Sequence, residues 1–161
     1  SGTRSSIIWN VRDAVIALKP KFLCLENVKA MVSDKFIDMF NLWQTELVRL
    51  GYTNFAEVLN AKDYGIPQNR ERIFLVSIRN DSEMPSFYFP KPMPLTKRLK
   101  DVLEDKVDEK YYLSEKAIEG FMRTEADKSH CHNFTPKTEE DTAFTVRCKA
   151  GTRVDDNYVR E

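Results

Sequence analysis

The chain has 161 residues, 42% hydrophobic and 31% charged, with 25 Lys and Arg balancing 25 Asp and Glu, enough for one soluble folded domain or one and a half. Zero net charge excludes any argument for nucleic acid from overall basicity, so such a contact must come from local clusters. The longest uncharged apolar run, around Ile73 to Ile78, is too short to span a bilayer, and no charged-then-apolar secretory segment opens the chain.

Residues Arg4 to Leu18 read as a helix, with Ile7, Ile8, Val11, Ala14, Val15 and Leu18 at helical spacing and Pro20 closing it. Phe22-Leu23-Cys24-Leu25 is a continuous apolar run, which predicts a strand buried on both faces as in a parallel sheet. Glu26-Asn27-Val28 follows at once. Asp34 to Leu50 predicts a second amphipathic helix, with Phe36, Met39, Phe40, Trp43, Leu47 and Leu50 on one stripe and Gly51 as its C-terminal cap. Phe55 to Leu59 and Arg72 to Ile78 read as strands, and the alternation of helix and strand as α/β. No internal repeat is visible.

The character changes near Asn80. Asp81 to Leu95 holds Pro85, Pro90, Pro92 and Pro94, and reads as a linker or extended crossing. Lys97 to Asp105 reads as a short helix, and Tyr111 to Ile118 as a strand or turn entering a helix capped by Ser114. Thr124 to Asp141 is polar and weakly structured. Thr142 to Arg147 reads as a short strand, followed by a turn at Lys149-Ala150-Gly151.

The stretch richest in potential chemistry is Tyr64-Gly65-Ile66-Pro67-Gln68-Asn69-Arg70-Glu71-Arg72, which begins as a turn and leads into a strand. Gly65 admits backbone angles closed to other residues, and Pro67 pushes Ile66 toward an extended conformation. If the chain is already extended at Gln68, then Gln68, Arg70 and Arg72 point to one face and Glu71 to the other. Two guanidiniums there suit a phosphate, a carboxylate or a base carbonyl, or form a structural ion-pair cluster. Glu26 ends an apolar strand, where ligands of open α/β sheets bind. Partial desolvation there would raise its pKa and suit it to proton transfer; the alternative is a structural carboxylate paired with a lysine such as Lys29.

Other features carry less. His130-Cys131-His132 lacks a second pair at zinc-finger spacing, so no metal is expected. Cys24, Cys131 and Cys148 are an odd number that suits a reducing compartment, and Cys24 reads as an inert core thiol. Cys148 to Arg153 lacks the glycines and the Gly-Lys-Ser/Thr ending of a phosphate loop, leaving a basic turn or a solvated hairpin.

Taken together, three pieces resemble the DNA cytosine-5 methyltransferases. Pro20-Lys21-Phe22-Leu23-Cys24-Leu25-Glu26-Asn27-Val28 is similar to that family's strand ending in Glu-Asn-Val. Leu59-Asn60-Ala61-Lys62-Asp63-Tyr64-Gly65-Ile66-Pro67-Gln68-Asn69-Arg70-Glu71-Arg72 is similar to its long Asn-Ala-x-x-Tyr-Gly-x-Pro-Gln-x-Arg-x-Arg block. Gly2-Thr3-Arg4-Ser5 before a Pro-ended helix resembles the segment just upstream. The likeness covers residues 1 to about 95; beyond them the chain fits by position, as the start of a variable target-recognition region whose closing part resembles Ala143 to Tyr158.

The resemblance implies an α/β fold: the second half of a Rossmann-like methyltransferase sheet, with the strand at Arg72 to Ile78 antiparallel to its neighbours, plus the start of a mixed, irregular recognition region. The corresponding division is residues 1–92 and 93–161. In the family's mechanism, a Pro-Cys thiolate adds to carbon 6 of a flipped-out cytosine and the Glu-Asn-Val carboxyl, here Glu26, protonates ring nitrogen 3. Carbon 5 then takes the methyl group of S-adenosylmethionine, the cofactor. Arg70 and Arg72 are implied to hold the base carbonyl, a neighbouring phosphate and the catalytic carboxylate. Asn27, Val28 and Gln68 are implied substrate contacts, and Ile7 a cofactor contact. The implied partner is double-stranded DNA, which such enzymes extrude a base from before acting; the implied setting is the cytoplasm, nucleoid-associated when bound, within restriction-modification.

This sequence departs from the pattern. No cysteine follows a proline, and the glycine-rich cofactor loop and the late Gly-Asn-Ser motif are absent. The chain, which starts Ser1-Gly2-Thr3, is therefore expected to be the middle of such an enzyme and to be inactive without its upstream and downstream segments. A non-catalytic DNA-binding or interaction module built on the same fold is the alternative.

Overall fold

The computed structural model describes residues 7–83, 86–126, 134–146 and 156–160, with residues 7–9 and 123–126 described by backbone alone. The chain divides into two compact units, one of Ser1–Leu59 with Glu71–Lys91, the other of Asn60–Arg70 with Pro92–Glu161.

In the first unit the two predicted helices form as α1 (Ile7–Leu18) and α2 (Ile37–Arg49). Helix α1 stops where Pro20 removes an N–H, and Lys19 before it takes a left-handed backbone, φ 45°. Helix α2 ends in a left-handed Gly51, φ 85°, whose N–H reaches the Val48 carbonyl at 3.0 Å. This is half of a Schellman closure, which a glycine makes without strain. Of the predicted stripe, Phe40, Trp43 and Leu47 are buried, while Phe36 at the N-cap is exposed.

Three strands follow: β1 (Phe22–Val28), β2 (Tyr52–Asn60) and, after a two-residue strand β3 (Gln68–Asn69), β4 (Glu71–Arg79). Their sheet has the order β1-β4-β2. As expected for the Arg72 to Ile78 segment, β4 runs antiparallel to β1, in a register from Phe22 opposite Ile78 to Val28 opposite Arg72. Leu23 and Leu25, with Ile73 and Leu75, turn to the core face, where α1 contributes Val15 and α2 contributes Phe40, Trp43 and Leu47. Full burial of an apolar side chain of this size contributes about 1.5–3 kcal/mol. Ser77, wholly buried, donates to Asn54 Oδ1 at 2.6 Å, and Asn54 donates to the Gln44 carbonyl at 2.9 Å, tying sheet to helix with every polar atom of the thread engaged.

The burial expected of β1 is half right. On its inward face Leu23 and Leu25 are half-buried against the core, but Phe22, Cys24, Glu26 and Val28 on the other face are exposed. Cys24 is therefore not the enclosed core thiol expected of it. The apolar run is continuous, yet only one of its faces meets helices among the described residues, and its hydrogen-bonded neighbour is antiparallel.

In the second unit, β3 pairs in parallel with β5 (Ala143–Phe144), Gln68 opposite Ala143 and Asn69 opposite Phe144. Gly65, φ 81°, makes the turn before it. Lys97 to Asp105 yields a single 3-10 turn, Leu99–Asp101. Helix α3 (Glu115–Ala126) is capped as expected by Ser114, whose Oγ accepts the Ala117 N–H at 3.3 Å. Phe121, Phe134 and Tyr158 form an aromatic triangle with centroids 5.4–5.6 Å apart. Arg4 to Ser6, His130-Cys131-His132 and the turn at Lys149-Ala150-Gly151 lie outside the described residues.

Candidate functional site

The carboxyl end of β1 lies beside the start of β4. In the antiparallel register Glu26 faces Phe74 and Arg72 faces Val28, so Glu26 and Arg72 are diagonal neighbours on one face. Arg72 Nε lies 3.0 Å from Glu26 Oε1 in an ion pair, and Arg72 Nη1 donates to the Glu71 carbonyl at 2.8 Å, which fixes the fork. The Arg72 side chain is 15% exposed and that of Glu26 47%. Glu26 is thus half in water rather than desolvated, because the face it stands on is open.

Lys29, the alternative partner for Glu26, instead binds Glu71 at 2.9 Å. Two adjacent, separate ion pairs thus form, and β-strand alternation decides which acid takes which cation. Asn27 turns its amide to its own chain, Oδ1 accepting the Val28 N–H at 2.8 Å, and Val28 starts the 3-10 turn Lys29–Val32. The Glu-Asn-Val tripeptide therefore ends the strand and exposes its acid at that end.

Gln68 and Arg70 belong to the second unit. The single extended run expected from Gln68 to Arg72 is interrupted: β3 ends at Asn69 and β4 begins at Glu71. Arg70 between them has its backbone held by its own unit. Asn60 Oδ1 accepts the Arg70 N–H at 3.0 Å, and the Ala61 N–H donates to the Arg70 carbonyl at 3.0 Å. Asn60 was quoted in the sequence motif without a role; a buried Asn before a tight turn is the signal that marks it. Asn157 acts similarly on β5, bracketing the Phe144 N–H at 2.5 Å and its carbonyl at 3.1 Å, and no sequence signal pointed to it. Ile7, the predicted cofactor contact, opens α1 and its side chain is undescribed.

No group of three His, Cys, Asp or Glu among the described residues is placed to hold a metal, and no helix among them is long and apolar enough to cross a membrane. An open crevice of about 560 Å³, lined by Asn41, Gln44, Tyr52, Asn54 and Asn80 among others, lies at the other end of the sheet from Glu26. Its lining mixes amides and hydroxyls with the apolar Val48, and no acid–cation pair stands in it.

A carboxylate and a guanidinium thus stand together at the carboxyl end of β1 in an α/β fold. A sequence model of the family described as C-5 cytosine-specific DNA methylase matches residues 1–158, and the chain belongs to that family. The type II methyltransferase M2.ScrFI of Lactococcus lactis subsp. cremoris is 46% identical over 118 residues, 73% of this chain and 32% of the relative. The type II methyltransferase M.NlaX of Neisseria lactamica is 37% identical over 125 residues, 78% of this chain and 39% of the relative. The chain thus spans about a third of the length of these relatives. The S. pombe Dnmt2 methyltransferase structure superposes with a TM-score of 0.66 at 18% identity, covering 96% of this chain and 48% of that one, and so shares the fold. The small sheet with its helices is part of the Rossmann-like methyltransferase fold.

Proposed function

We propose that this chain forms the part of a DNA cytosine-5 methyltransferase that protonates and grips the target base, in an enzyme moving a methyl group from S-adenosylmethionine to carbon 5 of a flipped-out cytosine. The observation that carries the reading is the 3.0 Å pair of Glu26 with Arg72 at the carboxyl end of β1. A proton delivered by Glu26 to ring nitrogen 3 neutralises the charge that builds up when a thiolate adds to carbon 6, and so activates carbon 5. Arg72 holds the Glu26 carboxyl at the ring edge and offers its remaining donors to the base carbonyl. Arg70 takes the neighbouring phosphate, Gln68 and the Asn27-Val28 backbone contact the base, and duplex DNA is the partner. The assignment of residues 1–92 to a catalytic half and 93–161 to a target-recognition part belongs to the same reading, as does a cytoplasmic, nucleoid-associated setting.

S-adenosylmethionine supplies an electrophilic methyl group, and its nucleoside calls for a glycine-rich turn after a strand, where backbone can approach closely. The described left-handed glycines do not build one, since Gly51 closes α2 and Gly65 precedes β3. The main cofactor cradle is therefore assigned to a further segment of the same enzyme, with Ile7 as this chain's contact. The same segment brings the Pro-Cys thiolate. The exposed outer face of β1 and the exposed Leu18 and Phe22 support a seat for it.

Cys24 is exposed on the Glu26 face and two residues from it, so among the described residues it is the thiol to weigh as a substitute. Geometry argues against it. Nitrogen 3 and carbon 6 lie across the ring, and a thiolate must arrive over the ring face while Glu26 meets the ring edge. Two side chains pointing the same way from one strand present both groups from one direction. The chain alone is therefore inactive in this reading.

The test is incubation with labelled S-adenosylmethionine and cytosine-containing duplex, with this chain alone and with a supplied Pro-Cys-bearing upstream segment. Label only in the second arrangement is expected. Label from the chain alone, lost in Cys24→Ser, would make Cys24 the nucleophile. DNA binding without transfer in either arrangement would favour the alternative of a non-catalytic binding module, which the absence of any Pro-Cys in this sequence supports.

A further inference from the structure

We infer that Asn60 is a positioning residue for Arg70, fixing that arginine's backbone through its side-chain amide where the strands leave it unpaired. The inference rests on the reading of Arg70 as a DNA-gripping residue.

The geometry is local and complete. Asn60 is 9% exposed. Its Oδ1 accepts the Arg70 N–H at 3.0 Å and the Lys62 N–H at 3.4 Å. Its Nδ2 donates to Asn69 Oδ1 at 2.6 Å. The Ala61 N–H, one residue on, takes the Arg70 carbonyl at 3.0 Å. Arg70 falls between the end of β3 and the start of β4, so neither strand ladder supplies these bonds. One buried amide thus serves as both strand partner and turn former. An arginine reaches its ligand through a long, flexible stem, so its accuracy depends on how well its Cα is held. Aspartate at position 60 keeps the acceptor for both N–H groups, and Asn69 can turn its own amide to donate to it. Alanine keeps none of these bonds.

The test uses the methyl-transferring protein, this chain together with the segment that supplies the thiolate, and compares Asn60→Ala, Asn60→Asp, Arg70→Ala and the double variant Asn60→Ala/Arg70→Ala. A displaced gripping residue costs up to about 100-fold in rate. Asn60→Ala is expected to lower kcat/KM for target duplex about 10- to 100-fold. Asn60→Asp is expected to stay within a few-fold of wild type and to keep the Arg70 amide protected from hydrogen exchange. The double variant should lose no more than Arg70→Ala, because two residues acting as one unit are not additive. Wild-type rates in Asn60→Ala, or a double loss equal to the product of the single losses, overturn the inference and leave the reading of Arg70 standing. An Arg70→Ala variant as active as wild type, or wild type without transfer, overturns that reading and the inference with it. If Asn60→Ala does not fold, Asn60→Asp decides: a loss as large as that of Arg70→Ala overturns the inference, and retained activity with a protected Arg70 amide supports it.

Discussion

Glu26 and Arg72 are joined by one ion pair, but the proposed chemistry asks different things of them. Glu26→Gln keeps the shape and a hydrogen-bonding end but has no carboxyl proton to give to ring nitrogen 3. In the complemented enzyme, turnover is expected to fall about 100-fold or more, the range for losing a general acid, with DNA affinity little changed. Turnover near wild type in a folded variant, measured at saturating duplex, would remove Glu26 from proton transfer. Arg72→Ala is expected to weaken capture of the flipped cytosine more than overall DNA binding, because phosphate contacts act alike on every sequence. Titration of target and non-target duplex at one salt concentration separates the two; equal losses would assign Arg72 to phosphate. The ion pair itself is a small part of any stability change in this variant, because Arg72, 15% exposed, also loses packing. With Glu26 47% exposed, a cross-strand pair of this kind is worth about 0.2–1 kcal/mol.

Gly51 isolates the cost of backbone conformation within a single element. Its φ is 85° and a Cβ built there would meet nothing within 4 Å. Gly51→Ala is therefore expected to destabilise by about 1–2 kcal/mol from the left-handed backbone alone, read as a lower urea midpoint with an unchanged slope. An unchanged midpoint would mean that the α2 end shifts to a right-handed closure. This cap was legible in the sequence because a stripe of apolar residues ended on a glycine. The α2 core residues and the antiparallel β4 were legible for similar reasons, one from its period and the other from the likeness at Gln68 to Arg72. The faces of β1 were not. Phe22-Leu23-Cys24-Leu25 carries no polar residue to mark a face, so the run could not say that Leu23 and Leu25 point inward while Cys24 points out. The break at Arg70 was equally hidden, since it depends on Asn60, ten residues away, offering a side chain where a strand would have offered backbone.

For the molecule as a whole, the sequence order of the site residues differs from their distribution in the fold. The chain leaves the first unit after Leu59 and re-enters it at Glu71, so the segment bearing Gln68 and Arg70 is inserted between two strands of one sheet. Glu26 and Arg72, far apart in sequence, meet because β1 and β4 are neighbours, whereas Arg70 and Arg72, nearly adjacent, belong to different units. Sequence spacing suggested three side chains on one face; the fold assigns each arginine its own supports. The pairing of β3 with β5 could not be read from sequence either, because a two-residue strand has no period and its partner lies across the whole irregular region.

The open face of β1 also makes Cys24 an optical handle on the proposed base-binding end. Residues two apart on a strand are about 7 Å apart, so a small fluorophore on the exposed Cys24 thiol would sit beside Glu26 without replacing any residue assigned to binding. With Cys131 and Cys148 changed to serine, a maleimide dye should attach under native conditions. Its emission should shift when target duplex is added and stay constant with duplex lacking the site. A constant signal under conditions where binding is seen independently would mean that the DNA engages a surface other than the one Glu26 shares with Cys24.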